Sequence, residues 1–173
     1  VNEIIKKFEP QNPNKIVEDL VGLYNKLEQL DDGYWVNIKK KEIQEIIKMC
    51  SGLWLESIVW EPAISPGESI DVRSMIVNRS SIPIEIEKVF TTHSSSDALL
   101  NQTLEQNIPL NIKQVSSIPK DADYSQPYWL REEHNGKVFT VSNPDLISLA
   151  ENGNEIKSKF FLNIFDTSFE YEI

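Results

Sequence analysis

Apolar residues recur at helical spacing through the first part of the chain and at strand spacing through the rest. The helical series are Ile4, Ile5 and Phe8, then Ile16, Leu20, Leu23, Tyr24 and Leu27, then Val36, Ile38, Ile43, Ile46 and Ile47. Positions three and four apart share one face of an α-helix, so each series predicts a helix with one buried stripe. Asn12-Pro13 predicts the start of the second helix, with Asn as the cap and Pro in the first turn. Asp31-Asp32-Gly33 predicts a break after it. The third helix is predicted from near Asn37 to Ser51-Gly52, where Gly takes a left-handed C-terminal conformation. Met49 and Cys50, in its last turn, are expected to pack onto the next unit.

Beyond Gly52 the pattern changes. Leu53 to Trp60 is rich in aromatic and β-branched types, and Ser69 to Asn78 alternates with period two after a Pro66-Gly67 turn. In Ile82 to Thr92, the residues Ile84, Ile86 and Lys88 fall on the face opposite Glu85, Glu87 and Val89. Thr103 to Val115 reads as extended segments interrupted by Pro109, and Val138 to Val141 as a short strand. Lys159 to Phe165 and Phe169 to Ile173 predict a hairpin around Asp166-Thr167-Ser168. Short strands punctuated by turn signals, with Pro at their edges, imply a mainly β fold. The expected architecture is an antiparallel, immunoglobulin/fibronectin-like β-sandwich (residues 53–173) preceded by a short α-helical linker or appendage (residues 1–52).

A length of 173 residues suits one domain with a small appendage. The formal charge of −10 argues against nucleic acid and anionic membrane as partners, since both reward clustered Lys and Arg. Lys39-Lys40-Lys41 stands beside Glu42 and Glu45 and reads as the wet face of a helix. No apolar run approaches the ~20 residues of a membrane-spanning helix. The single cysteine, Cys50, ends an apolar helical stripe and is read as a small buried hydrophobe rather than a reactive thiol. The chain starts at Val1 and is read as a piece of a longer polypeptide.

Candidate chemistry is sparse. His93 and His134 are far apart in expected loops; His93 and Asp97 are four residues apart, but a polar loop is the favoured description. The sequence has no nucleophile elbow, Gly-rich phosphate loop or HExxH element. Asn78-Arg79-Ser80 and Asn101-Gln102-Thr103 match glycosylation sequons. The densest element is Ser125-Gln126-Pro127-Tyr128-Trp129-Leu130-Arg131, a Pro-locked turn carrying two large aromatics. Trp54, Trp60, Tyr124, Tyr128 and Trp129 offer stacking faces for sugar rings, and Gln126, Arg131 and Glu132 offer hydrogen bonds. Burial in the core is the favoured alternative for Trp129, Tyr128 and Trp54.

Three segments in order carry a family resemblance: Cys50 to Glu56; Ser65-Pro66-Gly67-Glu68 with Asn78-Arg79-Ser80; and Tyr124 to Arg131. Together with Phe139-Thr140-Val141, Asp145-Leu146-Ile147 and Lys159 to Ile164, they resemble the region downstream of the catalytic domain in large bacterial PIG-L / LmbE-like deacetylases. The resemblance spans roughly residues 43 to 173. It implies a non-catalytic accessory domain of an enzyme that removes N-acetyl groups from N-acetylglucosamine-type glycans. It also implies zinc bound in a catalytic domain outside this sequence, because neither the His-Pro-Asp-Asp type motif nor its later His pair occurs here. Asn143-Pro144-Asp145 is the nearest echo. The implied partner is the catalytic domain of the same chain, with glycan as a further contact, and the implied location is the periplasm or cell envelope. A free-standing carbohydrate-binding module and a purely structural docking domain are the rival readings.

Overall fold

The computed structural model describes residues 1–31, 33–134, 136–150 and 153–173. Its helices are α1 (Asn2–Lys7), α2 (Val17–Glu28) and α3 (Tyr34–Cys50). The strands are β1 (Leu53–Ile58), β2 (Ser69–Asn78), β3 (Ile84–Thr91), β4 (Ala98–Thr103), β5 (Leu110–Ser117), β6 (Ser158–Ile164) and β7 (Thr167–Glu172). The fold is mainly β, with two antiparallel sheets and a short helical region at the N-terminal end.

Two helix boundaries differ from the sequence expectation. Pro13 opens a single 3-10 turn ahead of α2, but the Asn12 side chain makes no cap bond; its main-chain carbonyl accepts the Lys15 N–H at 3.2 Å instead. Helix α3 begins at Tyr34 rather than near Asn37, because extended Gly33 is its cap residue and the Gly33 carbonyl accepts the Asn37 N–H at 3.0 Å. Of the break expected at Asp31-Asp32-Gly33, Asp32 lies outside the described residues. The C-terminal stop is as expected. Gly52 is left-handed (φ +62°), and a Cβ there would meet the Arg79 Cβ at 3.1 Å, so conformation and close approach both require glycine. Met49, expected to pack inward, is exposed, whereas Cys50 is partly buried and its thiol is pushed up by desolvation. A neutral thiol is a poor nucleophile.

Strand β2 spans the expected residues, but β3 does not present the expected face. The buried side chains are Ile84, Ile86, Val89 and Thr91, because a bulge at Glu87 shifts the register against β6 between Ile86 and Lys88, where β4 carries an extra residue of its own. The bulge keeps an ammonium group out of the core, where an unpaired charge is costly. Lys88 instead bonds Asp97 at 2.7 Å and lies over the Phe161 ring. The extended run expected from Thr103 to Val115 is the end of β4 and most of β5, and β4 starts five residues earlier than expected, at Ala98. Residues 138–141 form no strand. The β6–β7 hairpin turns on Phe165 and Asp166, both at positive φ (50° and 57°), the two-residue geometry whose twist matches its strands.

One sheet has the order β1-β2-β5 and the other β4-β3-β6-β7. They face each other, since Thr91 on β3 donates to Gln114 on β5 at 2.8 Å. Their shared core takes Leu53, Ile76 and Ile112 from the first sheet and Ile84, Ile86, Val89, Phe160, Leu162 and Ile164 from the second. The helices complete it with Ile16, Val17, Leu20, Val21 and Ile47. In the β6–β7 ladder Ser158 and Ile173 exchange both main-chain bonds, so by alternation the Glu170 main chain faces away from β6. The Gln44 side chain of α3 caps that outward Glu170 carbonyl, and the Tyr171 hydroxyl donates to the Gln44 carbonyl at 3.0 Å. Tyr24 packs on Phe169 with centroids 4.9 Å apart, and Asn25 bonds Thr167 at 2.8 Å. Helices α2 and α3 therefore seal the free edge of β7, a position that otherwise invites pairing with another chain.

Ile47 is fully buried at this seam. Ile47→Ala is expected to destabilise the chain by about 2–5 kcal/mol in urea unfolding, while Met49→Ala, on the open side of the same helix, changes stability by less than about 0.5 kcal/mol.

Candidate functional site

The interior grades from apolar beside the helices to polar at the opposite end. There Thr91 bonds Gln114 and Ser158, Gln114 donates to the Ser96 carbonyl, Ser57 pairs with Ser74, and Ser116 donates to the Thr92 carbonyl, at 2.7–3.1 Å. A cleft of about 620 Å³ opens at this end, with Val59, Ile64, Ile70, Val72 and Ile118 along its walls and Ser57, Ser158 and His93 among its polar groups. The crossover 118–157, which joins β5 to β6, leaves and returns here.

That crossover holds itself together mainly through polar bonds. The Tyr128 hydroxyl accepts the Ser148 N–H at 3.2 Å, and Glu132 accepts the Ser142 N–H and hydroxyl, each at 2.8 Å. Asn143 accepts the Asp145 N–H at 3.0 Å and caps the 3-10 turn Pro144–Leu146. Its apolar side chains are left outside: Tyr124, Trp129, Leu130, Val138, Phe139, Ile147 and Leu149 are all exposed. Tyr128 and Trp129, in the 3-10 turn Tyr128–Leu130, meet edge to face with centroids 4.9 Å apart. They form a wall between two hollows. One, of about 270 Å³, is lined by Ser125, Gln126, Pro127, Leu149 and Ala150 as well; the other is completed by Phe139, Val141 and Ile147.

The candidate side chains are thus brought together only in part. Gln126 joins Tyr128 and Trp129 at the smaller hollow, while Arg131 follows the turn on the exposed surface without lining either hollow. Glu132 is engaged by Ser142 rather than turned to a ligand. Trp54 belongs to another surface. It is 45% exposed on the outer face of β1, its Nε1–H donates to Glu56 at 3.2 Å, and the Arg79 guanidinium lies 5.2 Å from its ring centre. The favoured expectation of core burial fails for all three rings. Trp129 is 37% exposed, Tyr128 is half-buried, and none belongs to the core. Aliphatic side chains already fill the space between the sheets, and strand alternation points Leu53 and Leu55 inward, which turns Trp54 out.

His93 and Asp97 do not form a site either, since Asp97 pairs with Lys88. Among the described residues, no three His, Cys, Asp or Glu side chains gather in a metal-binding group. No described helix is long and apolar enough to cross a membrane. The Asn78 sequon is closed to modification. Asn78 is buried, donates to the Ile82 carbonyl and accepts from the Ser80 N–H and hydroxyl. Sequence reasoning missed the cleft, which non-local loops assemble. It also gave no weight to the spacing of Trp54 and Trp60, whose even separation across the expected strand Leu53 to Trp60 signals a shared face, although β1 itself ends at Ile58.

Comparison with known proteins adds little. No protein-family model matches the chain, and no curated protein matches it. Among solved structures, the sporulation control protein Spo0M of Bacillus subtilis is similar, with a TM-score of 0.37 and 13% identity over 70% of this chain and 48% of that one. The Pseudomonas fluorescens alkylpurine DNA glycosylase AlkC, bound to DNA containing an abasic-site analog, has a TM-score of 0.31 and 10% identity over 93% of this chain and 44% of its own. This chain therefore spans less than half of either structure, and similarity at that level carries no argument about fold or function.

The Ser142 main-chain N–H, and then its hydroxyl, hold the Glu132 carboxyl below its ordinary value of 4.5. A carboxyl depressed by folding contributes stability that is present above its unfolded pKa and lost as pH falls through the folded one. The 132–142 closure should therefore loosen on acidification below about pH 4.5, read as faster amide exchange at Ser142 relative to the strands. In Glu132→Gln that difference between neutral and acid pH should vanish.

Proposed function

We propose that this chain is a non-catalytic accessory domain of a bacterial PIG-L / LmbE-like deacetylase acting on N-acetylglucosamine-type glycans, and that it docks the catalytic domain of the same polypeptide through the crossover 118–157. One observation carries the reading. Tyr128-Trp129-Leu130, the most specific part of the family resemblance, sits within an apolar surface left open to water. Free-standing domains seldom expose such clusters, and a neighbouring domain would cover this one. The order β1-β2-β5 against β4-β3-β6-β7, with the chain switching sheets after β2, β4 and β5, supports an immunoglobulin/fibronectin-like sandwich as the scaffold. Zinc would be held by the catalytic domain, and the parent enzyme would be exported.

A second reading, an independent carbohydrate-binding module, is favoured by the hollow beside Tyr128 and Trp129, where Gln126 adds a polar group to an aromatic wall. The two are separable. On the docking reading the purified chain releases no acetate from chito-oligosaccharides, with or without added zinc. Trp129→Ala then leaves its stability within about 1 kcal/mol of the parent, as expected for an exposed side chain, yet weakens binding to the catalytic domain supplied in trans more than tenfold. Acetate release would overturn the non-catalytic assignment. Trp fluorescence quenched by chito-oligosaccharide, lost in Trp129→Ala while binding to the catalytic domain is retained, would select the carbohydrate reading.

A further inference from the structure

The outer face of the β1-β2-β5 sheet carries a cationic aromatic array that the docking role does not use. Trp54, Glu56 and Ile58 alternate outward along β1, and Trp60 follows just beyond the strand. Across the ladder, Trp54 pairs with Val77 and Ile58 with Arg73. Arg79 lies 5.2 Å from the Trp54 ring centre and Arg73 5.9 Å from that of Trp60, which is 70% exposed. Two of the chain's three arginines thus stand on tryptophans of one open face, in a protein of net charge −10. Neither guanidinium has a carboxylate within ion-pair distance among the described residues. Of the carboxylates nearby, Asp71 pairs with Lys113 at 2.7 Å, while Glu56 turns to Trp54 and accepts its indole N–H.

We propose that this face binds a linear acidic polysaccharide, with uronate carboxylates on Arg73 and Arg79 and sugar rings against Trp54 and Trp60. Charge complementarity selects an anion, because the cations of the face that hold no carboxylate are Arg73 and Arg79, whose planar guanidinium fork holds a carboxylate through paired hydrogen bonds. Geometry selects a stiff polymer. At about 3.3 Å per residue Trp54 and Ile58 lie roughly 13 Å apart along β1, and Trp60 stands beyond the strand end, so the array spans consecutive sugar units and is too long for a single small anion. The aromatic component selects sugar over a bare polyanion, since the C–H face of a pyranose packs on indole. This surface is separate from the crossover, so the proposal stands or falls independently of the docking role.

The test is affinity electrophoresis of the whole chain in gels containing polygalacturonate, at about 0.1 M salt, where a Debye length near 10 Å limits repulsion from the remainder of the acidic surface. Retardation by polygalacturonate is expected, at least tenfold weaker in R73Q/R79Q and in W54A/W60A, with circular dichroism unchanged in both because the four side chains lie on the open face. R73K/R79K, which keeps charge but loses the planar fork, should recover only part of the affinity. Three results would overturn the proposal: no retardation by polygalacturonate, retardation indifferent to R73Q/R79Q, or equal retardation by poly-L-glutamate, which would mark a polyanion or acidic-peptide surface without sugar selectivity.

Discussion

The seam between helices α2 and α3 and the free edge of β7 is the constraint on which the remaining structure depends. Ile47 and Val17 are fully buried there in the same cluster as Phe169 and Tyr171 of β7. The Gln44 side chain and main chain each bond β7, one to a strand carbonyl that faces away from β6, the other to the Tyr171 hydroxyl. Tyr171 is mostly buried and desolvation raises its phenol well above the ordinary value, so it stays a neutral donor at any pH the protein meets. Without the helices, β7 would be an open edge and the cluster would lose one wall. Because α3 runs through Gly52 directly into β1, the same helices also set where the first sheet begins.

With that end closed and apolar, the other end of the two sheets is free to differ. Its interior hydroxyls and the Gln114 amide are satisfied by one another and by the Thr92 and Ser96 carbonyls, and no buried side-chain nitrogen or oxygen among the described residues is without a partner. Such an end tolerates a cleft and a long crossover, since the loop main chain can stay near water instead of entering a dry core. The crossover in turn spends its polar groups on itself and presents its apolar ones outward. Burial in the fold and contact with something outside it are competing uses for those side chains, and the aliphatic core had no room for them.

The two aromatic surfaces differ in physical character. Tyr128 and Trp129 sit among Leu, Val, Phe and Ile on an irregular segment, an apolar contact region of the kind that another folded unit covers. Trp54 stands on regular strand geometry and Trp60 just beyond the strand end, with a guanidinium over each, on a face whose polar and aromatic groups alternate. The first is shaped by what the loop could not bury, the second by strand periodicity.

Local pattern determined much of this fold. The helical stripes, the Gly52 stop, the span of β2 and the β6–β7 hairpin follow from periodicity and turn chemistry, which act over a few residues. The bulge at Glu87 escaped that pattern, because only pairing with β4 and β6 decides whether Val89 or Lys88 faces inward. For the same reason β4 was partly hidden, its Asn101 adopting positive φ where the register slips. The aromatic residues of the candidate sites were legible as residues, but not their exposure. Whether a ring such as Trp129 fills a core or meets water depends on which distant side chains occupy the interior, and that is settled by three-dimensional packing alone.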